Sequence, residues 1–181
     1  EDFGEALKRN PPRINLWISR GQSHLGWGEF SIHLGKDPVP HFDAAIRDFD
    51  QAVRMNPNIA SSVARLALAK GKLAVFLIRK GEDPGDLYPE ALRIFKRALH
   101  LDSRNAECWG GRANILREYA IFLMFRGHSH ADKTFRSSIR DYTEALKINP
   151  SIHTYVLRRG QARLSLVMYL SRQGRSKMEI R

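Results

Sequence analysis

The residues most capable of metal chemistry are His128, Ser129, His130 and Asp132, where two imidazoles and a carboxylate fall within five positions. Zinc accepts these ligand types, but a closed site needs four of them, held in place by separate elements. A turn with a single carboxylate does not supply that, and no metal site is expected. The other histidines are scattered. His24 and His33 share one helical pattern nine residues apart, and His153 stands near the start of another, so solvated or packed roles are expected for them. Cys108 is the only cysteine and follows a helical pattern beside Trp109, which excludes an internal disulfide and suggests ordinary packing.

Nucleophilic or acid–base catalysis would need an activated group and its partner in a pocket. The chain has no Gly-x-Ser-x-Gly, no His-Glu-x-x-His and no phosphate-binding glycine loop. Its carboxylates lie mainly in turns or on outer helix faces, so it reads as a non-enzyme without a cofactor. The basic residues are more suggestive. The formal charge is +11, and the last thirty-one residues hold seven Lys and Arg against one Glu, more than half of the excess. Arg158, Arg159, Arg163, Arg172, Arg175, Lys177 and Arg181 could hold phosphates in a salt-dependent complex. The plainer reading sets them against acidic groups of a following repeat half.

The elements that position these residues repeat. Ala6, Ala52, Ala98 and Ala145 are each followed five residues later by a helix stop, and their spacings are 46, 46 and 47. Gly35, Gly81, Gly127 and Gly174 keep the same rhythm. Glycine closes a helix in the left-handed conformation and proline cannot continue one, so the two markers punctuate a helix A, a turn and a helix B. Helix A is expected near 14–34, 60–80, 106–126 and 152–173, about 30 Å long at 1.5 Å per residue. Helix B shows one apolar face, as in Phe42, Ala45, Ile46, Phe49, Ala52 and Val53. Arg47, Asp48, Asp50 and Gln51 are expected on its solvated outer face. No segment alternates as a strand would, and no apolar run is long enough to cross a bilayer.

The pattern resembles the tetratricopeptide repeat family. It appears in helix A as Trp17 and Gly21, Val63 and Ala67, Trp109 and Ala113, and Val156 and Gly160. In helix B it appears as Ala45, Phe49 and Ala52, then Ala91, Phe95 and Ala98, then Ser138, Tyr142 and Ala145. Phe3, Ala6 and Pro11 match the tail of a preceding repeat. The period departs from the 34 residues typical of the family. The aromatic usual in mid helix A is replaced by His24, Lys70, Leu116 and Arg163. Long repeats with a Gly-x-Asp-Pro turn also look like the helical arrays attached to some bacterial kinases, although no kinase element is present.

The resemblance implies an all-α fold: a right-handed α-solenoid of stacked antiparallel hairpins with extended A helices. Residues 1–181 are expected to form one repeat domain. It comprises a repeat tail at 1–12, repeats at 13–58, 59–104 and 105–151, and a partial repeat at 152–181. The resemblance also implies a non-catalytic protein-interaction scaffold that binds a peptide or protein segment, acidic by charge, on its concave A-helix face. By the family's spacing the peptide-binding residues would be Asn15, Gln22, Lys72, Asn114, Arg117 and Gln161. Gln22, Asn114 and Gln161 share one repeat position, and carboxamides both donate to and accept from a peptide backbone. The alternatives are a basic nucleic-acid-binding solenoid, or an oligomerisation or regulatory segment of a larger protein. Self-association through uncapped ends is expected of a stack cut through its hairpins. The chain opens on Glu1 without a basic-then-apolar leader, as an excised or processed segment would. Its single cysteine and lack of a visible signal favour the cytoplasm.

Overall fold

The computed structural model describes residues 14–174. The expected tail at 1–12 and the residues after Gly174 lie outside them. Seven helices occupy the described residues, with no strand among them: α1 (Ile14–His33), α2 (Val39–Met55), α3 (Ala60–Lys80), α4 (Leu87–Leu101), α5 (Ala106–Phe125), α6 (Ala131–Ile148) and α7 (His153–Arg172). The odd-numbered helices are the four A helices, and the even-numbered ones are the B helices of the first three repeats. None is long and apolar enough to cross a membrane.

The helix ends follow from local chemistry. Gly35, Gly81, Gly127 and Gly174, the periodic glycines, all have φ between 65° and 83°. An L side chain strains that conformation, and it lets the Glu82 N–H turn back to Leu77 O at 2.9 Å. The B helices end at Asn56, Asp102 and Asn149 in extended backbone. Asn56 and Asn149 then accept from the N–H two residues on, at 3.1 and 3.0 Å, which closes the short turn into the next A helix. Asn105 caps α5 by accepting from Cys108 N at 2.9 Å.

The chain divides into two compact units between Ser103 and Arg104. In the first, α1 and α2 run antiparallel: Gly21 lies against Phe49, and seven residues later Gly28 lies against Phe42, seven residues earlier. A Cβ on Gly21 would stand 2.8 Å from the Phe49 ring, and one on Gly28 would stand 2.6 Å from Phe42. Glycine here lets the Phe49 and Phe42 rings press directly on the α1 backbone. Ala67 and Ala74 take these places in α3, and α4 brings Phe95 and Tyr88, all buried. The second unit repeats the arrangement with Ala113 and Ala120 on α5 and Tyr142 and Phe135 on α6. Ala162, Leu166, Tyr169 and Leu170 of α7 close its core from the other side. Ser138, at a place that holds alanine in the other B helices, donates its hydroxyl to Ala113 O at 2.8 Å, so its burial leaves no polar atom unmet.

Arg47 lies on the expected exposed face of helix B, but Asp48 departs from it. Asp48 is buried, and Arg20 of α1 grips it through Nε at 2.8 Å and Nη2 at 2.5 Å. In the third repeat Arg112 grips the fully buried Asp141 the same way, at 2.6 and 2.9 Å. Each arginine also lies 4.8 Å from the centroid of the Trp ring three residues earlier, Trp17 or Trp109. A side chain on the rim of helix B is buried when the long A helix extends a cation to it, and local periodicity carries no trace of that. In the second repeat the equivalent residues are Leu66 and Ile94, and the pair is absent.

The substituted mid-helix positions have a physical account as well. Lys70 crosses to Glu90 at 2.5 Å, and that bond, the largest influence, holds the Glu90 carboxyl below its ordinary range. His24 stands 4.0 Å from Asp48 and stacks on His41, with ring centroids 6.3 Å apart. Burial keeps its imidazole below the usual value.

Candidate interaction surface on the A helices

Consecutive A helices of the first unit are tied by two pairs. With its amide oxygen turned toward α3, Gln22 accepts from Arg65, with Nη2 at 3.1 Å. Seven residues further along both helices, Glu29 of α1 pairs with Lys72 of α3. The equal steps show that α1 and α3 run parallel, as successive A helices must. Gln22 and Asn15 are exposed. Lys72 is thus a bridge between A helices, and its charge is already met by a carboxylate.

In the second unit Asn114 Oδ1 accepts from the Tyr142 hydroxyl at 2.6 Å. Arg117 pairs with the neighbouring Glu118, and its Nε is buried with no acceptor among the described residues. Gln161 is exposed on α7. The six candidates therefore fall into distinct settings. Asn15 and Gln161 are open, Gln22 and Asn114 are engaged through one face of their amides, and Lys72 and Arg117 are neutralised. Two further cations on the A helices, Arg65 and Arg158, occupy one repeat position two repeats apart. Arg65 lies beside Gln22, and Arg158 holds the same place relative to Asn114. Their shared register is visible in the chain once the repeat is aligned, whereas the pairing of Lys72 and Arg117 depends on which carboxylates the fold brings to them.

Large apolar groups also lie on the surface. Trp27 is 56% exposed and Phe30 49%, and with Ser23 and Gly26 they line a shallow hollow on α1. The Trp27 ring meets Phe30 edge-on at 5.8 Å. Among the described residues no three His, Cys, Asp or Glu side chains gather as metal ligands would.

Burial pushes the Tyr142 phenol up to about 12, against the pull of Arg117 and Arg158. A raised folded value means stability is intact below the unfolded value near 10 and is lost as pH climbs through the folded one. Between pH 10 and 12 the second unit is expected to lose roughly 2–3 kcal/mol from this group. Tyr142→Phe should flatten that part of a urea-unfolding pH series, and equal slopes for the two proteins would refute the assignment.

No family model and no curated protein matches the chain. Among solved structures it is similar to an O-GlcNAc transferase mutant, K341M, from Thermobaculum terrenum, with a TM-score of 0.50 and 17% identity. The likeness covers 89% of this chain and 23% of that one, so the chain spans under a quarter of its structural neighbour. It shows the fold: an all-α helical repeat of the solenoid class.

Proposed function

We propose that the chain is a non-catalytic, tetratricopeptide-like interaction scaffold that holds a peptide or protein segment against its A helices. The observation that carries this reading is the carboxamide and arginine brought together on adjoining A helices. Gln22 and Arg65 form the pair in the first unit, and Asn114 and Arg158 hold the same repeat positions in the second. A carboxamide can serve both the N–H and the C=O of a bound backbone, while a guanidinium forks onto a carboxylate. The segment that suits such a surface is extended and acidic, in keeping with the net charge of +11.

The reading shifts acid recognition from Lys72 and Arg117 to Arg65 and Arg158. A pulldown with the intact chain, with Arg65→Ala/Arg158→Ala, and with Gln22, Asn114 and Gln161 all changed to Ala tests it. Capture of the same protein should fall about tenfold or more in each variant, as for residues central to an interface. Undiminished capture by both variants would remove the A-helix surface as the binding site. Competition by nucleic acid in place of an acidic peptide would favour the basic nucleic-acid reading.

A further inference from the structure

Gln22 and Asn114 have each spent the same end of the amide on the protein. In the second unit the Tyr142 hydroxyl donates to Asn114 Oδ1 at 2.6 Å. Arg117 and Arg158 also bear on that phenol, and a guanidinium only donates, so neither accepts the phenol hydrogen. Glu118 bears on it too, but is paired with Arg117. The Asn114 oxygen is thus the acceptor that the hydroxyl finds, and burial keeps the phenol protonated. In the first unit the Gln22 oxygen accepts from Arg65, again a pure donor. Each amide therefore holds its oxygen against the protein and has its N–H groups left for a ligand.

The two units reach this state by different routes. Gln22 is a methylene longer than Asn114 and crosses to Arg65 on the next A helix. The B-helix residue at the place of Tyr142 is Phe49 in the first repeat and Phe95 in the second, where Leu68 replaces the carboxamide. The hydroxyl therefore accompanies the short amide and is missing beside the long amide and beside the leucine. Phe49 and Phe95 are as deeply buried as Tyr142, so filling this place needs only the ring. The oxygen of Tyr142 has its use in what it holds.

We propose that Tyr142 is a positioning residue for ligand selection: it fixes the Asn114 amide so that Asn114 and the exposed Arg158 offer a ligand N–H donors alone, and the second unit selects a carboxylate over its carboxamide analogue. The inference rests on the reading of the A-helix surface as a binding site. A carboxylate accepts at both oxygens, whereas a carboxamide turns its own NH2 toward one of these donors and sets donor against donor. Without the hydroxyl the Asn114 amide turns over freely and serves either group, so the preference weakens. An Asp or Glu side chain and a free chain end present the same two oxygens to this site.

Selection by the full chain from two libraries of short random peptides, one displayed internally and one with free C-termini, supplies the probe. Acidic residues enriched from the internal library identify a side-chain carboxylate, and enrichment confined to the free-ended library identifies the chain end. A synthetic copy of the selected peptide should bind about tenfold or more tightly than the same peptide with that carboxylate changed to the amide, as for hydrogen bonds to a charged group. In Tyr142→Phe this ratio should fall severalfold while the helix content stays unchanged, a shift that a purely structural role would not produce. Asn114→Asp keeps an acceptor for Tyr142 but removes the N–H donors, and should abolish the preference. Tyr142→Phe combined with Asn114→Gln copies Phe49 and Gln22, gives the amide oxygen to Arg158, and should restore the ratio. A ratio unaltered in Tyr142→Phe, or not restored in the double variant, overturns the role of Tyr142 and leaves the A-helix surface as the binding site. Enrichment of no peptide by the parent overturns both.

Discussion

Asp141→Ala is expected to destabilise the second unit by about 3–5 kcal/mol, because it leaves the Arg112 guanidinium without its counter-charge in a mostly buried setting. Asp141 is fully buried and the Arg112 side chain is only 17% exposed, so water cannot replace the lost bonds. The carboxylate itself is not at ease there. Burial, the largest influence, pushes the Asp141 carboxyl above its ordinary value despite Arg112. The pair is therefore costly to form and more costly to break in half. Replacing it whole should behave differently. Arg112→Leu combined with Asp141→Ile copies the Leu66 and Ile94 of the second repeat, and such exchanges of ion pairs for apolar groups are often neutral or stabilising by about 1–4 kcal/mol. Urea unfolding of the parent, the single variant and the double variant reads this directly. A double variant as unstable as the single one would show that the two repeats are not interchangeable at this site.

Phe135→Ala is expected to cost about 3–5 kcal/mol, the usual toll for deleting a buried aromatic and leaving part of its volume empty. Phe135 is fully buried in a cluster with Ala120, Leu123, Ala131, Leu166, Tyr169 and Leu170, so its ring joins three helices. Its neighbours include two alanines, whose side chains cannot move in to fill the gap. Phe135→Leu should cost clearly less, since much of the volume survives. Denaturant midpoints measured at equal slope separate the two variants. A loss below about 1 kcal/mol for the alanine variant would mean that α7 collapses onto the site.

The 46-residue rhythm made most of the fold legible. Gly35, Gly81, Gly127 and Gly174 end A helices for a reason contained in a few consecutive residues, and each adopts the left-handed conformation. The A helices begin and end within two residues of their expected bounds. Small residues in helix A and aromatics in helix B are legible as a repeated pattern, but the contacts of Gly21 with Phe49 and of Ala113 with Tyr142 are set by the packing of the two helices. The candidate surface was less legible. Lys72 and Arg117 look like free cations in the chain, yet Glu29 and Glu118 meet them. Asp48 looked like a solvated helix residue, yet Arg20 draws it inside.

The sequence by itself determined the repeat, the helix ends and the apolar faces, because each depends on residues within one or two turns of each other. Only the tertiary structure decided which charges are spent and which remain. Arg20 finds Asp48 and Arg112 finds Asp141 across 28 and 29 residues of chain. Whether an ionic side chain is buried depends on what the neighbouring helix extends toward it. The same dependence leaves Arg159, at the repeat position of Arg20 and Arg112, with no carboxylate among the described residues and a hydrogen bond to Thr143 instead.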